Sequence, residues 1–238
     1  NRGFTHADYL LQGILKYFSV HLRGFRKNRN FQSVRNVFVF IISLFTFHFC
    51  ACSPDLSQLK DGDIIFQTSA SSQSKAIQLA THSTYSHCGI ILSDSTGNLF
   101  VYEAVQPVQK TPLKDWVKRG EGKHFVVTRL KNANNILSKG ILIKMKRIAE
   151  SFLRKNYDEQ FNWSDDEMYC SELVFKIYYY TTGLQLATPA QLKSFDLSSD
   201  EVKKKLEERY HGKIPMTELC VSPEQLLKSN LTEVVMTE

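Results

Sequence analysis

Two strand-like runs in the middle of this 238-residue chain restrict its fold more than any other feature. The runs are SHCGIILS and NLFVYEAV, and the turn-like residues DSTG join them. β-branched and aromatic residues on both sides of a short polar connection predict an antiparallel hairpin. Because side chains alternate along a strand, His87 faces one side of the predicted sheet and Cys88 faces the other.

The second strand of this hairpin carries a carboxylate, Glu103. Glu103 shares a face with His87 if the connecting loop has an odd number of residues, as when residue 93 pairs with 97 or 92 with 98. Gly97 supplies the left-handed residue that such loops need. A carboxylate on an apolar face costs free energy unless it has a partner, so we expect Glu103 to bind the His87 ring. The alternative is an edge-strand carboxylate at the surface.

The cysteines next to these strands have different predicted roles. Cys88 points with apolar neighbours and is predicted to be a core thiol. Cys170, in MYCSELVF, begins a predicted apolar helix, where the helix N-terminus lowers a thiol's pKa and offers N–H groups to an oxyanion. From the residues alone, Cys170 is a candidate nucleophile, with a buried structural cysteine as the alternative. If Cys170 is the nucleophile, Cys170→Ala abolishes turnover, whereas Cys88→Ala costs only stability.

The remaining patterns predict a single α+β domain. Further strands are predicted at GDIIFQ, HFVVTRLK and LTEVVM. Helices are predicted within SSQSKAIQLATHS, TPLKDWVKRGEG, LSKGILIKMKRIAESFLRK, YCSELVFKIYYYTTG and SSDEVKKKLEERY, and after Ser222-Pro223. A polar aromatic loop, NYDEQFNWSDDEM, precedes the helix that carries Cys170.

A basic and apolar leader precedes this domain. Residues 1–51 hold seven Lys or Arg and one Asp, and the remaining 23 basic and 23 acidic residues balance. The domain is therefore predicted not to bind nucleic acid by electrostatics. The apolar run Val37–Phe49 is short for a bilayer span and suits a signal-peptide core. With its FCACSPD end, it resembles a bacterial lipoprotein signal in which Cys52 carries the lipid. A plain secretory signal and an uncleaved anchor are the alternatives.

The leader also determines the predicted boundaries and location. No methionine precedes Met145, so we expect residues 1–33 to be a non-native or disordered extension. Residues 34–52 are predicted to be the signal peptide, and residues 53–238 the single folded domain. We expect a protein of the bacterial cell envelope, anchored to the membrane by its lipid on the periplasmic side, or a secreted one.

Four motifs of the chain resemble a known family. GDIIF, SHCGI, VYEA, and NYDEQF followed by YCSELVFK are similar to the YiiX-like proteins. These are circularly permuted members of the papain-like, NlpC-type cell-wall hydrolase superfamily. The resemblance covers Leu59 to Gly183. It implies a permuted papain-like α+β fold, in which the helix that carries the cysteine packs on an antiparallel sheet that carries the histidine.

The resemblance also implies roles for single residues. Cys170 is implied as nucleophile, His87 as general base and acid, and Glu103 as the residue that orients the histidine. Tyr169, Tyr157 and Asp158 match family positions that shape the substrate pocket.

The motifs imply no role for Glu172 or His82. Glu172 either binds a substrate cation or stabilises the N-terminal end of its helix. His82 and His87 lack the spacing of metal ligands, so we predict neither a metal nor a cofactor.

The predicted substrate is a peptide, and in particular a cell-wall peptide. Two alternatives stay open. One is hydrolysis or transfer of a lipid ester by the same triad, and the other is an envelope lipoprotein that binds a peptide or amino acid without cleaving it.

Overall fold

The computed structural model describes residues 55–238. The predictions for residues 1–33 and 34–52, and for lipidation of Cys52, lie outside the described residues. Within residues 55–238, no helix has both the length and the apolar character needed to cross a membrane.

One antiparallel sheet organises the described part of the chain. Its strands are β1 (Ile64–Gln67), β2 (His87–Ser93), β3 (Leu99–Glu103), β4 (Gln109–Pro112), β5 (Phe125–Leu130) and β8 (Thr232–Thr237). They lie side by side in the order β4-β3-β2-β1-β5-β8. Two short strands, β6 (Ala190–Gln191) and β7 (Leu219–Cys220), pair separately.

The helices follow the sequence patterns, with one short addition. They are α1 (Ser74–Thr81), α2 (Leu113–Arg119), α3 (Ala133–Ile136), α4 (Lys139–Ser151), α5 (Cys170–Thr182), α6 (Asp200–Tyr210) and α7 (Pro223–Leu227). Gly183 ends α5 with a φ of 78°, a left-handed conformation that glycine adopts without a steric penalty. The short β4 and α3 were missed because QKTP and ANNI carry no periodic apolar signal.

Both faces of the sheet are buried, which confirms the predicted alternation along β2. Cys88 and Ile90 lie in the core beneath α5 and α4. Ile91 belongs to the core on the opposite face, where Trp116 of α2 packs. The His87 ring stacks on Trp116 with a centroid distance of 6.0 Å, so it lies on this second face.

The β2–β3 hairpin has a loop with an odd number of residues, as predicted, but a different register. Ser93 pairs with Leu99, so the loop spans residues 94–98, and Gly97 has a φ of 87°. The predicted pairing of residue 93 with 97 was therefore wrong by two residues. Asp94 explains the longer loop, because its side chain accepts hydrogen bonds from the backbone N–H groups of Thr96 and Asn98.

The tail of the chain is part of the same fold. β8 pairs with β5 at the edge of the main sheet. Helix α6 packs against α1 through apolar residues that include Leu206 and Ala76. The segment before α7 contacts the first turn of α5, because Ser171 Oγ donates to the Val221 carbonyl at 2.6 Å. The tail thus holds the N-terminal ends of both α1 and α5 in place.

Candidate active site

Cys170 is the first residue of α5, at the end of the helix that carries partial positive charge. Its side chain is buried, with 4% of the residue exposed. The backbone N–H groups of a first helical turn have no carbonyl partner within the helix. Cys170, Cys88 and Cys220 are all free thiols.

Two side chains from β2 act on the Cys170 thiol. A hydrogen bond with the Cys88 thiol is the largest cause that places the pKa of Cys170 well below its ordinary value. Burial opposes this shift, and the interaction with His87 adds to it. His87 and Cys88 point to opposite faces of the strand, yet both reach Cys170. They can do so because they are the first two residues of β2, where the sheet ends.

His87 is held between a carboxylate and a thiol. Its Nε2 atom lies 2.6 Å from Glu103 Oε2, which leaves Nδ1 for Cys170. Burial lowers the pKa of His87, but hydrogen bonds and charge interactions with Cys170 and Glu103 outweigh burial and raise the pKa to about 9. The geometry therefore favours an imidazolium next to a thiolate at neutral pH.

Glu103 has no solvent exposure and is surrounded by donors. Besides His87, its oxygens accept from Trp116 Nε1 at 2.9 Å, from Thr111 Oγ1 at 2.6 Å and from Arg119. Burial raises the pKa of Glu103, but the interactions with His87, and then those with Arg119 and Thr111, lower it to about 2. The carboxylate is therefore ionised and held in one orientation.

A glycine in β2 lets β3 approach closely beside this carboxylate. A Cβ atom added to Gly89 would lie 2.4 Å from Val101 Cγ1 and 2.8 Å from the Tyr102 carbonyl oxygen. Continuing the β2–β3 register places Glu103 opposite Gly89 and diagonal to His87. The diagonal contact replaces the direct pairing that the shorter predicted loop would give.

The two predicted pocket tyrosines lie close to Cys170. Tyr157 is half-buried, and Gln73 Nε2 donates to its hydroxyl oxygen at 2.7 Å. Burial raises the pKa of Tyr157, and the charge of Cys170 raises it further. Tyr169 is buried, and its hydroxyl oxygen accepts from the Val221 backbone N–H at 3.1 Å.

The structure gives Asp158 and Glu172 internal partners. Asp158 is 1% exposed, and its Oδ1 accepts from the Gln160 N–H, so the carboxylate organises the loop. Glu172 has no exposure, and its Oε1 lies 2.8 Å from Lys176 Nζ. Neither carboxylate is among the residues that line the two cavities at the site, and their roles toward a substrate stay a prediction. The i,i+4 spacing of Glu172 and Lys176 was a signal for this pairing in the sequence.

Two cavities meet at the Cys170–His87 pair. The first encloses about 740 Å³, including space open to solvent, and is lined mainly by apolar residues of α1, α6 and the chain between β6 and α6. The second encloses about 1080 Å³ on the same basis and is lined mainly by residues with polar side chains, among them serines, glutamines, Arg119 and Glu159, with Ala70, Ala104 and Val105 beside them. Cys170 lines the first and His87 the second, whereas Gln73 and Tyr157 line both.

A buried thiol at a helix N-terminus beside a histidine held by a carboxylate is the arrangement that a cysteine hydrolase requires. Comparison with known proteins agrees with this class. The family model described as "Permuted papain-like amidase enzyme, YaeF/YiiX, C92 family" matches residues 58–236. The chain belongs to this family, and the match includes the tail, beyond the region in which the motifs were recognised.

Two relatives are similar over most of their length. The uncharacterized protein YiiX of Escherichia coli K12 is 47% identical over 167 residues, which cover 70% of this chain and 81% of the relative. A crystal structure of a protein described as the metalloprotein YiiX, from Escherichia coli O157:H7, matches with a TM-score of 0.73 and 45% identity. That match covers 76% of this chain and 98% of the other.

The family makes this chain a cysteine peptidase or amidase, and thus an enzyme rather than only a binding protein. The word metalloprotein applies to the crystallised relative. In this chain, residues 55–238 place no three His, Cys, Asp or Glu side chains together as a group that could hold a metal ion.

Proposed function

We propose that this enzyme hydrolyses an amide bond with Cys170 as nucleophile, His87 as general acid and base, and Glu103 as the residue that orients His87. The observation that carries the proposal is the fixed direction of the imidazole. Glu103 occupies Nε2 at 2.6 Å, so Nδ1 is the nitrogen that faces the thiol. The helix N-terminus beneath Cys170 and the histidine beside it both favour the thiolate.

The proposed reaction has two stages. The Cys170 thiolate attacks the carbonyl carbon and forms a C–S bond, and the carbonyl electrons move onto oxygen. As the oxyanion collapses, the C–N bond breaks, and His87 gives its Nδ1 proton to the leaving amine. Neutral His87 then takes a proton from water, which attacks the thioester. The acid product leaves, and Cys170 and His87 return to the thiolate–imidazolium pair.

We propose two kinds of donor for the oxyanion. The first-turn N–H groups of α5 are directed toward the thiol end of the helix. The Tyr157 hydroxyl accepts from Gln73 and keeps its own proton to donate. Such donors contribute most when they are preorganised in a site shielded from water.

The cavities support a substrate with two different ends. We propose a peptide substrate that places an apolar group in the cavity beside Cys170 and a polar leaving group in the cavity beside Arg119 and Glu159. A peptide of the cell wall is the leading candidate, because the leader is expected to send the protein to the cell envelope. Anchoring through Cys52 would keep the enzyme near this substrate, and mass spectrometry of the mature N-terminus tests the anchor.

The apolar cavity favours a second candidate, in which the same triad cleaves or transfers the acyl group of a lipid ester. A hydrocarbon chain gains about 0.8 kcal/mol for each methylene group that it buries.

The test is turnover by the full chain of three substrates: cell-wall peptides, peptide amides with an apolar residue before the scissile bond, and phospholipids. Cys170→Ala is expected to lower turnover at least ~10³-fold for whichever substrate is cleaved. The matched control is Cys220→Ala, which removes another buried thiol from the same cavity. Turnover that persists in Cys170→Ala contradicts the mechanism, and release of fatty acid without amide cleavage selects the second candidate.

A further inference from the structure

A chain of three side chains joins the tail helix α6 to the loop beside Cys170. Arg209, in the last turn of α6, donates through an Nη atom to Gln73 Oε1. Gln73, immediately before α1, donates through Nε2 to the Tyr157 hydroxyl oxygen at 2.7 Å. Arg209 and Gln73 are 136 residues apart in sequence, so only the packing of α6 on α1 brings them together.

The chemistry of these groups fixes the direction of every hydrogen bond in the chain. A guanidinium group only donates, so the atom of Gln73 that faces Arg209 must be the carbonyl oxygen. The amide nitrogen then faces Tyr157, and the tyrosine oxygen must accept. The single hydroxyl proton of Tyr157 is therefore not used by Gln73. Burial raises the pKa of Tyr157, so the hydroxyl keeps this proton.

We propose that Arg209 is a positioning residue that acts through Gln73 to aim the Tyr157 hydroxyl proton at the carbonyl oxygen of the bound substrate. This inference rests on the proposed function, in which Tyr157 donates to the oxyanion. It extends the site to α6, which carries no residue that reaches the reacting atoms in this mechanism. The inference depends on two hydrogen bonds of the Gln73 amide, one from Arg209 and one to Tyr157.

Arg209 also has a packing contact that must be separated from this role. Its guanidinium lies 4.4 Å from the centroid of the Phe161 ring and forms part of the cavity wall. Loss of this contact would weaken substrate binding or folding, and would appear in KM or thermal stability. Loss of the hydroxyl direction would appear in kcat, because the donor acts on charge that develops in the transition state.

The decisive variant is Gln73→Glu, which keeps the length of the side chain and the acceptor for Arg209. A carboxylate cannot donate, so the Tyr157 hydroxyl must turn its proton toward residue 73. We expect kcat to fall about 10²-fold with little change in KM, which is the size of effect seen when one oxyanion donor is lost. Tyr157→Phe should give the same loss, and the double variant should be no worse than either single variant.

Variants of Arg209 test the other end of the chain. Arg209→Met frees the Gln73 amide to rotate, and we expect kcat to fall about 10-fold. Arg209→Lys keeps a donor and should retain most of the activity. The matched control is Lys204→Met, on the exposed side of α6 and outside both cavities, which should leave kcat near that of the native enzyme. Thermal unfolding of each variant shows whether it folds. If Gln73→Glu does not fold, Arg209→Met becomes the decisive variant.

Three results would separate this inference from the proposal on which it rests. Native kcat in Gln73→Glu, together with a loss in Tyr157→Phe, overturns the role of Arg209 and Gln73 but leaves the nucleophile proposal intact. Losses that multiply in the double variant also overturn it, because the two residues then act separately. Activity in Cys170→Ala instead overturns the proposed function itself.

Discussion

The two cavities beside the Cys170–His87 pair differ in chemistry although they share a boundary. The cavity on the Cys170 side is walled by α1 and α6 and is almost entirely apolar. The cavity on the His87 side is walled by the serine-rich chain after β1 and by Gln106, Arg119 and Glu159. Tyr157 and Gln73 form the boundary between the two.

This difference matches the two halves of an acyl-transfer reaction. In the proposed mechanism, the half of the substrate that stays on Cys170 as a thioester would lie on the apolar side. The half that leaves with a proton from His87 would lie on the polar side, where an amine can keep its hydrogen bonds. Each cavity therefore predicts the chemistry of one substrate half, and variants can test the halves separately.

Among the variants that bear on this comparison, the largest effect is expected at Glu103, which is proposed to act on both halves through His87. Glu103→Gln removes the charge that helps to raise the pKa of His87 to about 9. His87 must be protonated to release the amine, so activity is lost as pH rises through this pKa. We expect kcat/KM to fall about 10²-fold for all substrates, with the alkaline limb of the pH profile moving below 9.

The pH profile of kcat/KM, measured beside thermal unfolding, checks this prediction. Glu121→Gln is the control, because Glu121 is exposed and lies outside both cavities. An unchanged alkaline limb in a folded Glu103→Gln variant would contradict the role of Glu103.

An intermediate effect is expected when a charge is placed in one cavity at a time. Leu197→Asp adds a carboxylate to the apolar wall, whereas Ser71→Asp adds one to the polar wall. We expect Leu197→Asp to lower kcat/KM about 10-fold or more for substrates with an apolar acyl half, since the carboxylate loses hydration when the group binds.

Ser71→Asp should change kcat/KM little for the same substrates and should alter the preference among charged leaving groups. Kinetics over a matched substrate series checks both variants. Equal losses in the two variants would remove the distinction between the cavities.

The smallest effect is expected at Cys88, which lies in the hydrophobic core next to α5. The sequence predicted only a core thiol, but Cys88 shares a core cluster with Cys170 and lowers the pKa of that thiol. Removing the Cys88 thiol in Cys88→Ala should raise the pKa of Cys170. We expect alkylation of Cys170 by iodoacetamide at pH 6 to slow a few-fold, with a loss of about 1 kcal/mol in the free energy of unfolding.

The rate of alkylation against pH, with Cys170 identified by mass spectrometry, provides this measurement. Cys220→Ala is again the matched control. If Cys88→Ala and Cys220→Ala react at equal rates, Cys88 is a core thiol and nothing more.

The hairpin illustrates which part of the site local patterns can predict. The parity that places His87 and Glu103 on one face follows from alternation and from Gly97, both of which are local. The register depends on the hydrogen bonds of Asp94 within the loop, and it makes the contact between His87 and Glu103 diagonal. The local sequence thus predicts which side chains share a face of the sheet more reliably than it predicts the register between the two strands.

The predicted pocket residues illustrate the other limit. Tyr157 and Tyr169 border the site, whereas Asp158 and Glu172 are turned inward to a loop N–H and to Lys176. Polar residue types indicate the capacity to bind, but burial decides what they bind. Trp116 and Arg119, which donate hydrogen bonds to Glu103, belong to no sequence motif. Their contact with Glu103 is evident only from the packing of α2 on the sheet.

The sequence by itself determined the α+β class, most of the strands and helices, and the three residues proposed to carry the chemistry. These follow from alternation, helix spacing and motifs, which depend on neighbours in the chain. Only the tertiary structure decided that Cys88 contacts Cys170, that two unlike cavities meet at Tyr157, and that Arg209 reaches Gln73. Such contacts depend on how α6 packs on α1 and α5 on β2, because residues far apart in sequence meet only when whole elements bury their apolar faces together.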